Sequence, residues 1–516
     1  KMTDSFNLPT LGLLNTELQT GRNIDPKLLE DRAKQLEYTI QSFGISAWII
    51  DIFLGPHFTN FYVEMPQGTR ASQLQALHRD IASAVGVREI LIQGVAAQAT
   101  MNIMVPNEVR EAVPIWELIG SQELEDVPGP LPMALGKTVL GDPACFDLGS
   151  LQHLLIAGTT GSGKSMGIHA ALVSMLFRLS PAQLRLILID PKAAEFSFYE
   201  RIPHLIAPII FDADRAVSVL RWAIEHMDDR FRMLASISVR NLGAFNAKVD
   251  AAFEQGRPFK YHPAGERTSD NPVYQEAGVE LVPLPPIVIA IDELGDLMTH
   301  AFDEIDPLLQ RLVQRGHIVG IHLILSTERP SVGILSGAVK ANLSSRLAFR
   351  VVSALESRIV LDEAGAEELA DQGDALLKVA GGGLIRIHGA YVEDNNIQTI
   401  AEHWRGEGQP DYVIAEQSSD QTDNIYENAV SIVLETGKAS ASHLQRVLGI
   451  DYNLAAHLID KMEDGGLLSP PNYLGHRDVY GYTGTGTGTG TGTDIDDLGP
   501  TIDAEPRPRF RWPWEK

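Results

Sequence analysis

Leu151-Gln152-His153-Leu154-Leu155-Ile156-Ala157-Gly158-Thr159-Thr160-Gly161-Ser162-Gly163-Lys164-Ser165 decides the fold of this chain. An apolar strand, Leu151–Ala157, runs into a glycine, four residues and Gly-Lys-Ser, and an apolar helical stretch, Met166–Leu179, follows. The order carries the chemistry. Glycines let backbone N–H groups turn inward around phosphates, and the N-terminus of the next helix favours negative charge. Gly158, Thr159, Thr160, Gly161, Ser162, Gly163, Lys164 and Ser165 therefore form a candidate nucleotide-binding loop. In it Lys164 reaches the outer phosphates of ATP and the Ser165 hydroxyl ligates Mg²⁺.

Such a loop needs an acid for the metal. Ile287–Ile291 is an apolar strand that ends in Asp292-Glu293. Asp292 holds Mg²⁺ through its water shell and Glu293 polarises the attacking water. Asp190-Pro191-Lys192 closes another strand and is the weaker candidate, because no second acid follows directly. Ser326-Thr327-Glu328-Arg329-Pro330 ends a further strand, at a place where a polar side chain can sense the γ-phosphate or simply make a turn.

Outward from the loop, apolar runs recur at Leu184–Ile189, Ile321–Ser326 and Leu347–Val352, with helical patterns between several of them. Continuous Val/Ile/Leu runs predict strands buried on both faces, hence an α/β domain with a mostly parallel sheet. It is expected over residues 136–413. Residues 1–135 read as a smaller α+β domain: a helix from Asp25 as N-cap to Gly44, strands at Ser46–Phe53, Asn60–Val63 and Glu89–Gly94, and a helix over Ser72–Val85. Residues 414–424 read as a polar linker and 425–482 as a compact helical unit. In 483–516, the Gly/Thr alternation Thr483–Thr493 reads as a flexible linker, and Arg507–Lys516 as a disordered tail or a partner-binding peptide.

Composition limits the partners. Among 516 residues, 42 Lys and Arg face 67 Asp and Glu, a formal net charge of -25. A basic coat is excluded, so any nucleic-acid site is a local one, such as a lined pore or a single helix. The single cysteine, Cys145, forms no internal disulfide and fits a reducing, cytoplasmic setting. No run reaches the roughly 18–20 apolar residues needed to span a bilayer.

Beyond the loop, several blocks occur in a telling order. They are Asp190-Pro191-Lys192 with Ile202-Pro203-His204-Leu205, Val239-Arg240-Asn241-Leu242, Asp292-Glu293 with Asp296-Leu297-Met298, Gly320-Ile321-His322-Leu323, Arg329-Pro330-Ser331-Val332, and Leu361-Asp362-Glu363-Ala364-Gly365. With the loop, they resemble the FtsK/SpoIIIE family of double-stranded DNA translocases, from about residue 8 to residue 480. The resemblance implies an α ring domain, a RecA-like P-loop motor and a γ winged helix. It also implies six copies in a ring around duplex DNA, ATP and Mg²⁺ as cofactors, and work in chromosome segregation, cell division or DNA transfer. Family members usually carry an N-terminal membrane anchor, which would make this segment the cytoplasmic part of an inner-membrane protein.

The resemblance also assigns DNA contacts: Lys340 and Arg329 on a pore loop with Arg358 beside them. Read alone, each is a solvated surface charge; the resemblance reverses that reading for Lys340. In the C-terminal unit, Ser440–Leu448 and Tyr452–Asp464 flank a Gly449-Ile450-Asp451 turn, which suits a helix-turn-helix. Asn453, His457 and Lys461 share a helical face that could meet a groove; the alternative is a winged helix used for protein contact.

The departures from the family motivate a second reading. The family's trans-acting arginine stands here as His317, with Arg315 two residues earlier; a family lysine is Ala354; and the family's glutamine before Arg-Pro-Ser is Glu328. These changes suit a weakly hydrolysing ATP-binding ring that clamps or scaffolds DNA. A related motor for protein secretion is the third reading.

Overall fold

The computed structural model describes residues 6–14, 26–55, 57–66, 69–87, 90–94, 100–107, 112–261 and 279–414, and in the C-terminal part 429–434, 436, 439–448, 455, 458–459, 462–463 and 467–469. Lys1–Glu416 form one compact unit and Gln417–Lys516 another.

The first unit opens with a four-stranded antiparallel sheet built from β1 (Trp48–Leu54), β2 (Phe58–Glu64), β3 (Leu91–Gly94) and β4 (Thr100–Pro106), in the order β1-β2-β4-β3. Helices Pro26–Ser42 and His78–Val85 cover one face, so that Leu36, Ile40, Phe61, Val63, Ile81 and Ile103 share one core. The edge strand β1 leaves Trp48, Ile50 and Phe53 about half exposed. The helix expected over Ser72–Val85 is two, broken at Leu77.

The large sheet contains β5 (Val113–Pro114), β6 (Pro132–Thr138), β7 (Pro143–Asp147), β8 (Leu154–Ala157), β9 (Arg185–Ile189), β12 (Ile287–Ile291), β13 (Ile321–Thr327), β14 (Ser345–Phe349), β15 (Asp374–Lys378) and β16 (Leu384–Tyr391), the short pair β10 (Lys260–Tyr261) and β11 (Val279–Glu280) lying apart from it. Its order is β7-β6-β16-β15-β14-β8-β13-β12-β9, with β5 added to β16. From β9 to β14 the pairing is parallel. From β14 to β7 it is antiparallel. The sheet is therefore mixed, and the antiparallel half is what the apolar runs did not reveal. Its strands alternate or carry Gly, Arg and His, as in Leu384-Ile385-Arg386-Ile387-His388-Gly389-Ala390-Tyr391, and give no continuous apolar signal.

Each face of the sheet has its own core. Helices Lys164–Arg178 and Asp394–Glu407 cover one, where Leu172, Leu176 and the fully buried Trp404 meet Leu186 and Leu188. Helices Ala213–Ser236 and Leu294–Arg315 cover the other with Leu220, Met227, Leu309 and Leu312. Because the central strands are parallel, β8, β9, β12 and β13 all end on the same side, and the loops that leave them converge there.

In the C-terminal unit, helix Ala441–Leu448 coincides with the first helix expected there, and Ala429, Val433, Leu444, Leu458, Ile459 and Met462 form a small core. Asn453, His457 and Lys461 lie outside the described residues. Among the described residues, no helix is long and apolar enough to cross a membrane.

Candidate nucleotide site

The loop Gly158–Gly163 leaves β8 in the middle of the sheet and opens the helix that starts at Lys164. Gly163 sits at φ 116°, and a Cβ there would meet Gly373 Cα at 3.0 Å. Only glycine satisfies both the left-handed backbone and that close approach. The approach is tied by backbone bonds. Gly373 N–H donates to Ser162 O (2.8 Å), and Gly389 N–H donates to Gly373 O (2.7 Å). The loop is thus wired to the start of β15 and to β16, two and three strands away in sheet order.

Lys164 points back over the loop and is almost fully buried. Its Nζ donates to Asp292 Oδ1 (2.7 Å) and to Ser326 Oγ (3.3 Å). Ser326 Oγ in turn donates to Asp292 Oδ1 (2.6 Å) and accepts from Glu293 N–H (3.2 Å). Loop, acid and strand end thus converge on one polar cluster from β8, β12 and β13.

Glu293 follows Asp292 at φ 51°, ψ 67°, a left-handed conformation uncommon outside glycine. That reversal turns its carboxylate toward the end of β13. There it accepts from Glu328 N–H (3.0 Å) and Thr327 Oγ1 (3.3 Å). Burial raises the Glu293 pKa against the lowering effect of the Glu328 N–H and of Lys164. Lys192, from the end of β9, lies 3.5 Å from the Glu328 carboxylate and 3.7 Å from that of Glu293. Burial acts to lower the Lys192 pKa, but Glu293, Glu328 and Asp296 outweigh it and raise it. The negative Glu328 is thereby offset by a cation that the sequence showed only as part of a block.

The weaker candidate acid, Asp190, has another task. Its Oδ2 accepts from the N–H groups of Glu195 (2.8 Å) and Phe196 (3.0 Å), which folds the turn after β9. That turn delivers Glu195 to the loop. Ser165 Oγ donates to Glu195 Oε1 (2.7 Å), and His169 Nε2 lies 3.0 Å from Glu195 Oε2. His169 Nδ1 is 2.9 Å from the Tyr199 hydroxyl. The His169 hydrogen bond, opposed by burial and aided by Ser165, holds the Glu195 carboxyl below its ordinary pKa. Glu195 and His169 were not singled out from sequence. The available signal was Ser165 and His169 four apart, polar on one face of an otherwise apolar helix.

A cavity of about 630 Å³ opens beside the loop. Thr159, Thr160, Gly161, Gly163, Lys164, Ser165, Glu195 and Glu328 are among its lining residues. Among the described residues, no group of three or more His, Cys, Asp or Glu could hold a metal ion by itself. The oxygen donors Ser165, Asp292 and Glu195 suit Mg²⁺, which is commonly held by one or two carboxylates together with substrate phosphates.

The FtsK/SpoIIIE family model matches residues 114–332, the FtsK alpha domain residues 8–107 and the FtsK gamma domain residues 420–481. The chain is 38 % identical over 496 residues to the DNA translocase FtsK of Agrobacterium fabrum, covering 92 % of this chain and 56 % of that protein. The chain belongs to the FtsK/SpoIIIE family. The FtsK of Brucella suis is 38 % identical over 504 residues, 93 % of this chain and 58 % of the relative. That of Pseudomonas aeruginosa is 38 % identical over 496 residues, 92 % and 60 %. The chain thus spans less than two thirds of the length of these relatives. Among solved structures, the pCW3 conjugation coupling protein TcpA with ATPγS gives a TM-score of 0.48 at 18 % identity, over 72 % of this chain and 99 % of TcpA. The cytoplasmic domain of the Thermomonospora curvata type VII secretion ATPase EccC gives 0.45 at 26 %, over 55 % and 32 %.

Of the positions that the FtsK/SpoIIIE resemblance assigns to DNA, Arg329 borders the loop cluster, its N–H donating to Thr327 Oγ1 (3.3 Å). Arg329 and Arg358 are exposed. Lys340 is partly buried, in a helix spanning Gly337–Asn342, and is engaged: its Nζ lies 2.9 Å from Asp362 Oδ1 and donates to Arg358 O (3.2 Å). Asp362 also pairs with Arg346 (2.7 Å) and Lys378 (3.1 Å). His317 is half-buried at the opposite end of β13 from the loop, its ring 5.8 Å from that of His153. Arg315 lies over the Phe231 ring at 4.4 Å. Ala354 begins the helix Ala354–Leu361.

Proposed function

We propose that this chain is the motor part of an ATP-driven double-stranded DNA translocase that works as a homohexamer in chromosome segregation, cell division or DNA transfer. The observation that carries the reading is the convergence of Lys164, Asp292, Ser326 and Glu293 beside the glycine loop, in a chain of the FtsK/SpoIIIE family.

In this reading the N–H groups of Gly158–Ser165 cradle the phosphates and Lys164 neutralises the outer ones. Ser165 and Asp292 hold Mg²⁺, which supplies charge neutralisation at the phosphates. The Glu293 carboxylate orients and polarises the attacking water, and Glu328, held by Lys192, stands at the γ-phosphate side. Arg329, Lys340 and Arg358 meet the DNA backbone inside a ring, where symmetry repeats a few cations despite a net charge of -25. Half-exposed Trp48, Ile50 and Phe53 on an edge strand support self-association. The motor fold is RecA-like, the C-terminal unit a winged helix that contacts DNA, and a membrane anchor upstream places the motor at the inner membrane. The test is ATP turnover with and without long duplex DNA, together with displacement of a triplex-forming strand from that duplex. No stimulation by DNA and no displacement would remove the motor reading.

A further inference from the structure

Part of the lining of the cavity beside the loop is not used by the phosphate chemistry. It comprises Met166, Ala390, Tyr391 and two histidines, His57 and His388. The two imidazoles stack with ring centroids 3.3 Å apart and planes 28° from parallel. His388 belongs to β16 of the large sheet, whereas His57 comes from the turn between β1 and β2 in the N-terminal α+β layer.

The pair is held close to the loop by packing without side chains between. A Cβ on Gly373 would lie 2.7 Å from His388 Cε1, and a Cβ on Gly163 would lie 3.0 Å from Gly373 Cα. Thus His388 rests on the Gly373 backbone, which itself rests on the loop. The β1–β2 turn is equally fixed. Asn107 N–H donates to His57 O (2.8 Å) and Asn107 Nδ2 to Gly55 O (2.9 Å). Asn60 Nδ2 donates across to Val139 O (3.0 Å), and the Arg386 guanidinium lies over the Phe58 ring at 4.8 Å. Arg386 is itself forked onto the buried Asp374 (2.9 and 2.6 Å). The turn is clamped where a ligand on the loop would meet it.

We propose that His57, stacked on His388, forms the wall of the nucleobase end of the ATP site, so that the N-terminal α+β layer supplies part of that site. The inference rests on the ATP reading above. With the outer phosphates at Lys164, the rest of the nucleotide extends toward Met166 and the histidine pair. A flat, largely desolvated imidazole pair suits a planar purine: its faces stack, and the ring nitrogens offer a donor and an acceptor to the base edge. Inosine and guanine would meet the same faces with different edges, so the wall also sets base preference. Nucleotide occupancy and the seating of the α+β layer are then one equilibrium.

The test is calorimetric binding of ATPγS and of inorganic tripolyphosphate to the full chain with Mg²⁺. Tripolyphosphate meets the loop alone. His57→Ala weakens ATPγS about tenfold, from the ordinary worth of base stacking, and leaves tripolyphosphate within about twofold; His57→Phe, which keeps a flat ring, restores most of the loss. His57→Val, which keeps more of the packing volume, is the companion should the alanine variant unfold, and behaves like it. Unchanged ATPγS binding overturns the inference, as does equal weakening of both ligands, which marks His57 as structural. A parent chain that binds neither ligand overturns the ATP reading itself, and the inference with it.

Discussion

Lys164 and Asp292 form a nearly buried ion pair, Nζ to Oδ1 2.7 Å, and the Ser326 hydroxyl bonds to both of them. A buried pair contributes less by existing than it costs when one partner is removed, because the other charge is left unpaired in a low-dielectric site. Asp292→Ala should therefore destabilise the chain by about 3 kcal/mol. The double variant Lys164→Met/Asp292→Leu should recover most of that loss while remaining inactive. Urea melts of Lys164→Met, Asp292→Leu and the double variant measure the coupling, and simple additivity would mean that the pair does not act as a unit.

Glu293→Gln keeps the shape of the side chain at its left-handed position and removes its charge. Hydrolysis should fall by about 10²–10⁴, the usual worth of a positioned base, with ATP affinity within a few-fold of the parent. Since burial raises the pKa of Glu293, the acid limb of the parent's pH–rate profile should lie above that of an ordinary glutamate. Single-turnover rates across pH decide this. An unchanged rate in the glutamine variant would move the water-activating role elsewhere.

Glu195 accepts from the same hydroxyl that is proposed to ligate Mg²⁺. Glu195→Ala should raise the Mg²⁺ concentration needed for half-maximal nucleotide binding several-fold while leaving tripolyphosphate binding without metal unchanged. Its folded pKa is depressed, so the stability it contributes is present above about 4.5 and is lost as the pH falls through the folded value. A flat metal titration in the alanine variant would reduce Glu195 to a packing role.

His153 and His322 lie at the far ends of β8 and β13, where burial, with the neighbouring imidazoles, pushes His153 down to about 3 and burial pushes His322 down to about 4. Native rings stay neutral while the unfolded chain takes up protons below about 6.5. Stability from these groups is therefore complete above 6.5 and drains as the pH falls toward 4 and 3. Between pH 7 and 5 the loss is about 2 kcal/mol for each ring. His322→Gln should flatten the slope of unfolding free energy against pH in this window, and an unaltered slope would show that the ring does titrate in the folded state.

Asp362 gathers Lys340, Arg346 and Lys378. In the homohexamer proposed above, Lys340→Ala should flatten log K for duplex DNA against log salt by about one, at roughly 0.9 per phosphate contact, and Asp362→Ala should steepen it by a similar amount. Identical slopes in parent and both variants would place DNA away from this loop.

Much of the candidate site is legible because its pieces are local: a glycine loop between strand and helix, and strands ending in Asp292-Glu293 and Ser326-Thr327. Parallel pairing of Ile287–Ile291 with Ile321–Leu325, and of Ile324–Thr327 with Leu154–Ala157, brings these ends together in register. Glu195 and His57 were not legible. Glu195 depends on a turn folded by Asp190, and His57 on the docking of a different layer, so neither has a local pattern. Lys340 shows the opposite limit: its charge was plain in the sequence, but its engagement by Asp362 is a tertiary fact.

The bonds from Gly373 to Ser162 and from Gly389 to Gly373 use only main-chain atoms. Tension applied at the phosphate loop is therefore carried into the antiparallel half of the sheet along a strut that ordinary side-chain replacement does not remove. Drift in the surrounding residues can retune chemistry without slackening that link. Proline at 389, which lacks an amide hydrogen, would sever it directly, leaving the loop mechanically uncoupled from the strands beyond; at 373, where φ is 106°, the ring's fixed φ of about −65° cannot be seated at all.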